Sequence, residues 1–363
     1  MLGNSEFRIA VLAGDGIGQE VMGSAIEVLE AARKRIGGFE LAFEQLPGGA
    51  GLYRDTGEAL SEENFRRAGE ADAILFGAMG LPDVRTADGT EPAPQLDLRF
   101  GYELYAGVRP IKAFPGTPLA LRDARAANID LVIIRESTEG LFASRGKGIV
   151  EDDAVARDTM VITRAVCERL FDFSFELARQ RKARGHAGRV TCVDKSNVFT
   201  SMAFFRKIFD ERAERFPDIT ADHHYVDATA LDLVRKPWEF DVLVMENMFG
   251  DILSDLAASL VGGMGMAASA DIGDEHGLFQ PAHGSAPDIA GKGIASPVAM
   301  ILSAAMMLEW LGHKHDVAAC TDAAVAIEEA MAGTLEDSGL LPVDLGGSAN
   351  TADITQAVVE RLS

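Results

Sequence analysis

The chain runs to 363 residues, 47% of them apolar, with 56 acidic side chains against 34 basic ones and a formal charge of -22. A chain of that length outgrows one hydrophobic core, so two domains are expected. The charge excludes nucleic acid and an anionic membrane as natural partners, because neither polyanion is attracted, and any anionic substrate must meet a local basic cluster. Three widely spaced cysteines, Cys167, Cys192 and Cys320, form no CxxC pair, which points to reduced thiols of a cytoplasmic protein without a disulfide framework. The first twelve residues lack a signal-peptide layout. The most apolar stretch, residues 297–311, is broken by Ser303 and Glu309 and is shorter than the roughly 20 residues a bilayer needs. It reads as a core helix with Ser296 as N-cap and Pro297 at its first position.

In chain order, residues 8–12 (RIAVL) read as a strand, followed by the turn 13–18 (AGDGIG) and a helix over 19–35. Strand, glycine turn and helix invite a dinucleotide-binding reading, with Glu44 after the next strand as a ribose partner. The glycines run GxGxG rather than GxGxxG, so a tight turn near an active site is an equal reading. A helix from Ser61 and a buried strand at 71–77 (ADAILFG) continue an α/β alternation. Residues 80–95 form a loop rich in Pro, Gly and Asp, longer than a connection requires. Arg99, Arg109 and Arg135 follow at strand ends and loop edges, where guanidinium forks suit carboxylates, although taken singly each is more often a surface ion-pair residue.

Residues 161–182 read as a long helix, and the strand 189–193 delivers Asp194-Lys195-Ser196-Asn197 to its C-terminal end, where open α/β sheets place ligands. A helix at 200–215 and a strand at 219–226 lead to Asp227. The strand 240–245 then feeds a helix beginning near Gly250 that carries Asp251 and Asp255. At i and i+4 the two carboxylates share one helix face, about 5–6 Å apart at Cβ. A hard divalent cation such as Mg²⁺ or Mn²⁺ would relieve the like charges. The competing reading is a capping Asp and a solvated one. The segment 278–293 is loop-like, dense in glycine, proline and polar groups, and two helices close the chain at 321–336 and 350–362.

Four stretches taken together, GDGIGQEV (14–21), VDKSNV (193–198), ENMFGDILSD (246–255) and HGSAPDIAGKGIASP (283–297), resemble the 3-isopropylmalate, isocitrate and tartrate (D-malate) dehydrogenases. These are metal-dependent β-decarboxylating enzymes acting on 2R-hydroxy acids. The resemblance implies a two-domain α/β fold of the isopropylmalate-dehydrogenase type with the active site in the interdomain cleft. One domain, 1–103 with 262–363, would bind NAD; the other, 104–261, would serve metal, substrate and dimerisation.

Residue by residue, it implies that Arg99, Arg109 and Arg135 grip the malate carboxylates and that Gln95 and Leu96 face the 3-substituent. Lys195 and Asp227 would be catalytic and come from the neighbouring subunit of a homodimer with shared sites. Asp227, Asp251 and Asp255 would hold Mg²⁺ or Mn²⁺. NAD would be held by Asn197, His283, Gly284, Ser285, Ala286, Asp288 and Ser296, with the Asp288 carboxylate accepting from the ribose hydroxyls and repelling a 2′-phosphate. On this view the Gly14–Gly18 turn is no dinucleotide fingerprint. Three positions depart from the family's pattern: Ser296 where relatives have Asn, Gln280 where they have Glu, and Phe142 where they have the tyrosine that protonates the enolate. The expected substrate is a 3-substituted 2R-malate of the 3-isopropylmalate type. The half-polar Gln95–Leu96 pair keeps a tartrate or D-malate substrate as the alternative, and Phe142 alone supports a catalytically silent regulatory paralogue.

Overall fold

The computed structural model describes residues 5–87 and 89–363. The chain divides into two compact units: one from Met1–Tyr102, Phe114–Pro118 and Gly262–Ser363, the other from Glu103–Ala113 and Leu119–Val261. Among the described residues the strands are β1 (Ser5–Gly14), β2 (Phe39–Gln45), β3 (Ala73–Ala78), β4 (Ala106–Lys112), β5 (Asp130–Glu136), β6 (Ile149–Glu151), β7 (Val155–Arg157), β8 (Arg189–Asp194), β9 (Thr220–Tyr225), β10 (Val242–Met245), β11 (Ala268–Ile272) and β12 (Gly277–Pro281).

In the first unit β1 lies between β2 and β3, all parallel; β12 joins β3 in parallel and β11 pairs antiparallel with β12. The β3 run AILFGA is buried at every position, as expected of a parallel strand covered on both faces. Helices Gly18–Ile36 and Val298–His315 supply much of that cover, the latter burying Val298, Ile301, Leu308 and Leu311 among others. Its start corrects the sequence expectation. Pro297 takes the cap position, φ -85°, and no side chain caps the helix, so Ser296 stands one residue ahead of the cap with its hydroxyl free of that duty. A short helix, Pro94–Gly101, occupies the end of the expected 80–95 loop and carries Gln95, Leu96 and Arg99. The segment expected to be a loop from 278 begins as β12.

In the second unit β5, β10, β8 and β9 run parallel, with β4 antiparallel on the edge beside β5. The parallel strands all end on one side, so Arg135, Lys195 and the residues just after Tyr225 and Met245 reach the same carboxyl edge of this sheet. Open parallel sheets collect ligands along that edge. The helix after β10 spans Asn247–Leu260, three residues earlier than the glycine suggested. Glu246 is its N-cap, its carboxylate accepting from the amides of Met248 and Phe249 at 3.1 and 2.8 Å. Gly250 lies inside the helix for another reason: a Cβ there would stand 2.6 Å from Cβ of Arg135. The glycine lets the helix press onto β5, and it marks close packing rather than a start.

Candidate active site

Asp251 and Asp255 occupy the exposed face of the helix Asn247–Leu260. Partial burial and the charge of Asp251 push the Asp255 carboxyl above the usual range, opposed by the guanidiniums of Arg109 and Arg135. Two carboxylates and two arginines of this unit thus share one electrostatic neighbourhood. Arg135 is nearly buried and fixed: Nε and one terminal nitrogen donate to Asn247 Oδ1 at 2.9 and 2.8 Å, and the other terminal nitrogen pairs with Asp251. Asn247 is fixed in turn by donating to the carbonyl of Glu139 at 3.0 Å. The Arg135 guanidinium also lies 5.0 Å from the centroid of the Phe142 ring.

Lys195, at the end of β8, pairs with Asp227 Oδ1 at 2.5 Å. The ammonium holds the Asp227 carboxyl below the usual range. Among the described residues no three His, Cys, Asp or Glu side chains make one metal-holding group. Asp227 is paired with Lys195, and of the other two metal candidates Asp251 is paired with Arg135. All-oxygen donors of that kind fit a hard divalent cation.

In the first unit the Gly14–Gly18 turn is stitched to the loop 283–296. Ile17 donates to the Ser285 carbonyl at 2.8 Å, and Ser285 Oγ donates to the carbonyl of Gly80. A Cβ on Gly16 would fall 2.0 Å from that Ser285 oxygen and one on Gly14 2.2 Å from the Ala78 oxygen. These glycines thus permit backbone crossings, and Glu44 is spent on Arg8 and Arg67. Both observations correct the dinucleotide-fingerprint reading of the turn. Asp15, which sequence reasoning passed over, is buried and accepts from the amides of Ala50, Gly51 and Gly80 at 2.7, 2.8 and 2.9 Å. Its place between the two glycines of the turn, Gly14 and Gly16, was the available signal.

The loop itself holds His283, Gly284, Ser285, Ala286, Asp288 and Ser296. Ala286 is at φ +36°, a conformation held only where surroundings enforce it. Glu20 closes the loop's far end, accepting from the amide of Ala295 at 3.3 Å. His283 Nε2 and Ser296 Oγ are shut off from solvent with no protein partner. Burial holds the His283 imidazole below its usual range. On the helix Pro94–Gly101, Gln95 Oε1 and Arg99 Nε are likewise buried without partners, while Arg99 donates to Asp271 Oδ2 at 2.9 Å. Native proteins leave few such atoms, and four of them fall on residues already singled out for cofactor or substrate. Polar ligand groups would satisfy them, so the residues present fit a nucleotide and a carboxylic acid. Gln280 donates to the same Asp271 oxygen at 2.9 Å, a bond an ionised glutamate could not make. Asn197 is exposed in the turn after β8.

The family whose profile matches, over residues 8–358, is described as isocitrate/isopropylmalate dehydrogenase. The chain is 45% identical over 358 residues to the 3-isopropylmalate/3-methylmalate dehydrogenase of Methanocaldococcus jannaschii, covering 98% of both proteins. It is 41% identical to the homoisocitrate dehydrogenase of the same organism, over 97% of this chain and 96% of that one. Among solved structures, the isocitrate dehydrogenase from Methylococcus capsulatus matches with a TM-score of 0.84 at 36% identity, over 98% of this chain and 99% of that one. The fold and the family match thus define a β-decarboxylating oxidoreductase. The chain belongs to the isocitrate/isopropylmalate dehydrogenase family.

Proposed function

We propose that the chain oxidises and decarboxylates a 3-substituted 2R-malate of the 3-isopropylmalate type, using NAD and Mg²⁺ or Mn²⁺. The observation that carries this reading is the meeting of Asp251 and Asp255 with Arg109 and Arg135: anionic oxygens for a cation beside guanidiniums for carboxylates. Arg109 and Arg135 bind the substrate's carboxylates, and the Asn247 clamp orients the Arg135 fork. Lys195 Nζ, as the neutral amine, takes the proton from the 2-hydroxyl, and the ammonium so formed is held by Asp227. When bound, the cation supplies Lewis acidity at the hydroxyl and carbonyl oxygens, and the nicotinamide accepts the hydride. Asp288, exposed in its loop, favours ribose hydroxyls over a 2′-phosphate by charge.

The active species is a homodimer in which Lys195 and Asp227 serve the partner's site. Support comes from the exposed apolar residues Val198, Phe199, Leu231, Val234 and Ile252 beside these positions. The protein acts in the cytoplasm, as three free, buried thiols and a substituted-malate substrate suggest. Among the described residues no helix is long and apolar enough to cross a membrane.

The test is NADH formation from a panel of 2R-malates bearing different 3-substituents, with Mn²⁺ or with EDTA. Metal-dependent turnover of branched 3-alkyl malates is expected. No oxidation of any member, or undiminished activity in EDTA, overturns the reading.

A further inference from the structure

Asp194 is a fully buried carboxylate directly preceding Lys195. It is saturated: Oδ2 accepts from Arg206 Nε at 2.7 Å, and Oδ1 from the other arm of Arg206 at 3.0 Å and from the Ser196 amide at 2.7 Å. The last contact closes a tight turn around Lys195, whose own carbonyl accepts from the amides of Val198 and Phe199. Arg206 comes from the helix Thr200–Ala213, so the turn is pinned to an element that packs along β8.

Asp194 and Tyr225 are register partners, the last pair of the β8–β9 ladder. The Arg206 guanidinium lies 5.2 Å from the Tyr225 ring centroid and the Lys195 ammonium 5.7 Å from it. Tyr225 is also the N-cap position of the helix Val226–Arg235, which carries Asp227 in its first turn. One guanidinium therefore spans both ends from which the Lys195–Asp227 pair springs: its fork grips the strand end behind Lys195, and its face covers the residue that starts the Asp227 helix.

We propose that Asp194 and Arg206, with the Tyr225 ring that both Arg206 and the Lys195 ammonium approach, form a brace that positions Lys195 for proton transfer. It rests on the role of Lys195 given above. None of the three need touch substrate or cofactor. A bidentate fork fixes orientation as well as distance, which a single-point ammonium does not. Lysine at 206 keeps the charge beside Asp194 but loses the planar hold on the turn and the contact with the ring. The proton acceptor is then free to wander, and a misplacement of about 1 Å costs on the order of 10²-fold in rate.

The experiment compares Arg206→Lys, Asp194→Asn and Lys195→Met with wild type for kcat, substrate KM, NAD affinity by fluorescence, and melting temperature. In Arg206→Lys, kcat should fall about 10- to 100-fold while KM and NAD affinity stay within about threefold and melting is preserved. Combined with Lys195→Met, Arg206→Lys should cost nothing further, since a brace without its lysine has nothing to position. Asp194→Asn should follow the same pattern; if it is not recovered folded, Arg206→Lys decides. Unchanged kcat in folded Arg206→Lys, or parallel losses in kcat, KM and melting temperature, overturns the brace. Full activity in Lys195→Met instead overturns the role of Lys195, a separate outcome.

Discussion

Ile17 donates its amide to the Ser285 carbonyl at 2.8 Å, so the first glycine turn of the chain and the proposed cofactor loop, almost 270 positions apart in sequence, are one piece of backbone architecture. Gly16 sits at that crossing with φ +54°, its missing Cβ 2.0 Å from the Ser285 oxygen. Alanine there combines a left-handed conformation, costing about 1–3 kcal/mol, with a clash against backbone that cannot swing away. Gly16→Ala is expected to lower the melting temperature and to weaken NAD binding by about tenfold or more, which 1.4 kcal/mol of displaced loop suffices to cause. Titration of NAD by fluorescence checks this, and wild-type affinity in the variant would separate the turn from the cofactor loop.

The acidic pair gives a second prediction. Asp251→Asn removes one anion from a hard-cation site and also the partner of Arg135. Mn²⁺ affinity should fall at least about tenfold, and turnover should drop to near background at ordinary metal concentrations. Relief of the Asp255 carboxyl is a side effect, since the Asp251 charge is one cause of its raised position. Mn²⁺ binding followed by electron paramagnetic resonance reads the first effect without relying on catalysis, and an unchanged dissociation constant would remove Asp251 from the metal set.

Much of this was visible in the residues themselves. The strand-and-helix alternation, the placement of Lys195 at a strand end and the i, i+4 spacing of Asp251 and Asp255 follow from periodicity and turn chemistry, which are local. Gly250 misled because a glycine inside a helix at a close packing contact and a glycine at a helix boundary look alike until the neighbouring strand is known. Ser296 misled because a serine before a proline fits a cap, whereas Pro297 occupies the cap position. The short strands β4, β11 and β12 carried too little pattern to stand out. The partnerships of Asp15, Asp194 and Asp271 were hidden for another reason. Each is a buried carboxylate defined by the donors that folding brings to it, remote ones for Asp15 and Asp271 and the arginine of the following helix for Asp194, and composition shows only an acidic residue.

His283 yields a pH prediction. Burial lowers the folded-state pKa of its imidazole below the unfolded value. Between those two values the unfolded chain binds a proton that the folded chain refuses, so stability rises with pH across that window. In the other direction, acidification from the unfolded value near 6.5 costs stability until the folded pKa is passed, below which the loss is complete. His283→Gln should flatten the part of the melting-temperature profile that lies on the acid side of the unfolded value. Equal slopes for variant and wild type would mean that His283 titrates normally.

Phe142 supplies the last prediction, because its ring sits against Arg135 and yet carries no proton to give. Under the proposed reaction, hydride transfer from C2 and loss of the β-carboxylate need nothing from this ring. They depend on Lys195, the arginines and the bound cofactors. Protonation of the enolate carbon left behind is the step that wants a general acid, and such an acid typically contributes about 10² to 10⁴-fold. Without one, that step limits turnover. NADH should therefore appear in a rapid burst of about one equivalent per site, followed by a slower steady state. Phe142→Tyr should raise the steady-state kcat and leave the single-turnover burst nearly unchanged, since only the last step gains a donor. A wild type without a burst that turns over as fast as the tyrosine variant would mean that another group delivers the proton. If NADH forms while no CO₂ is released, the physiological substrate is oxidised without decarboxylation, and the proposed reaction fails at its second step.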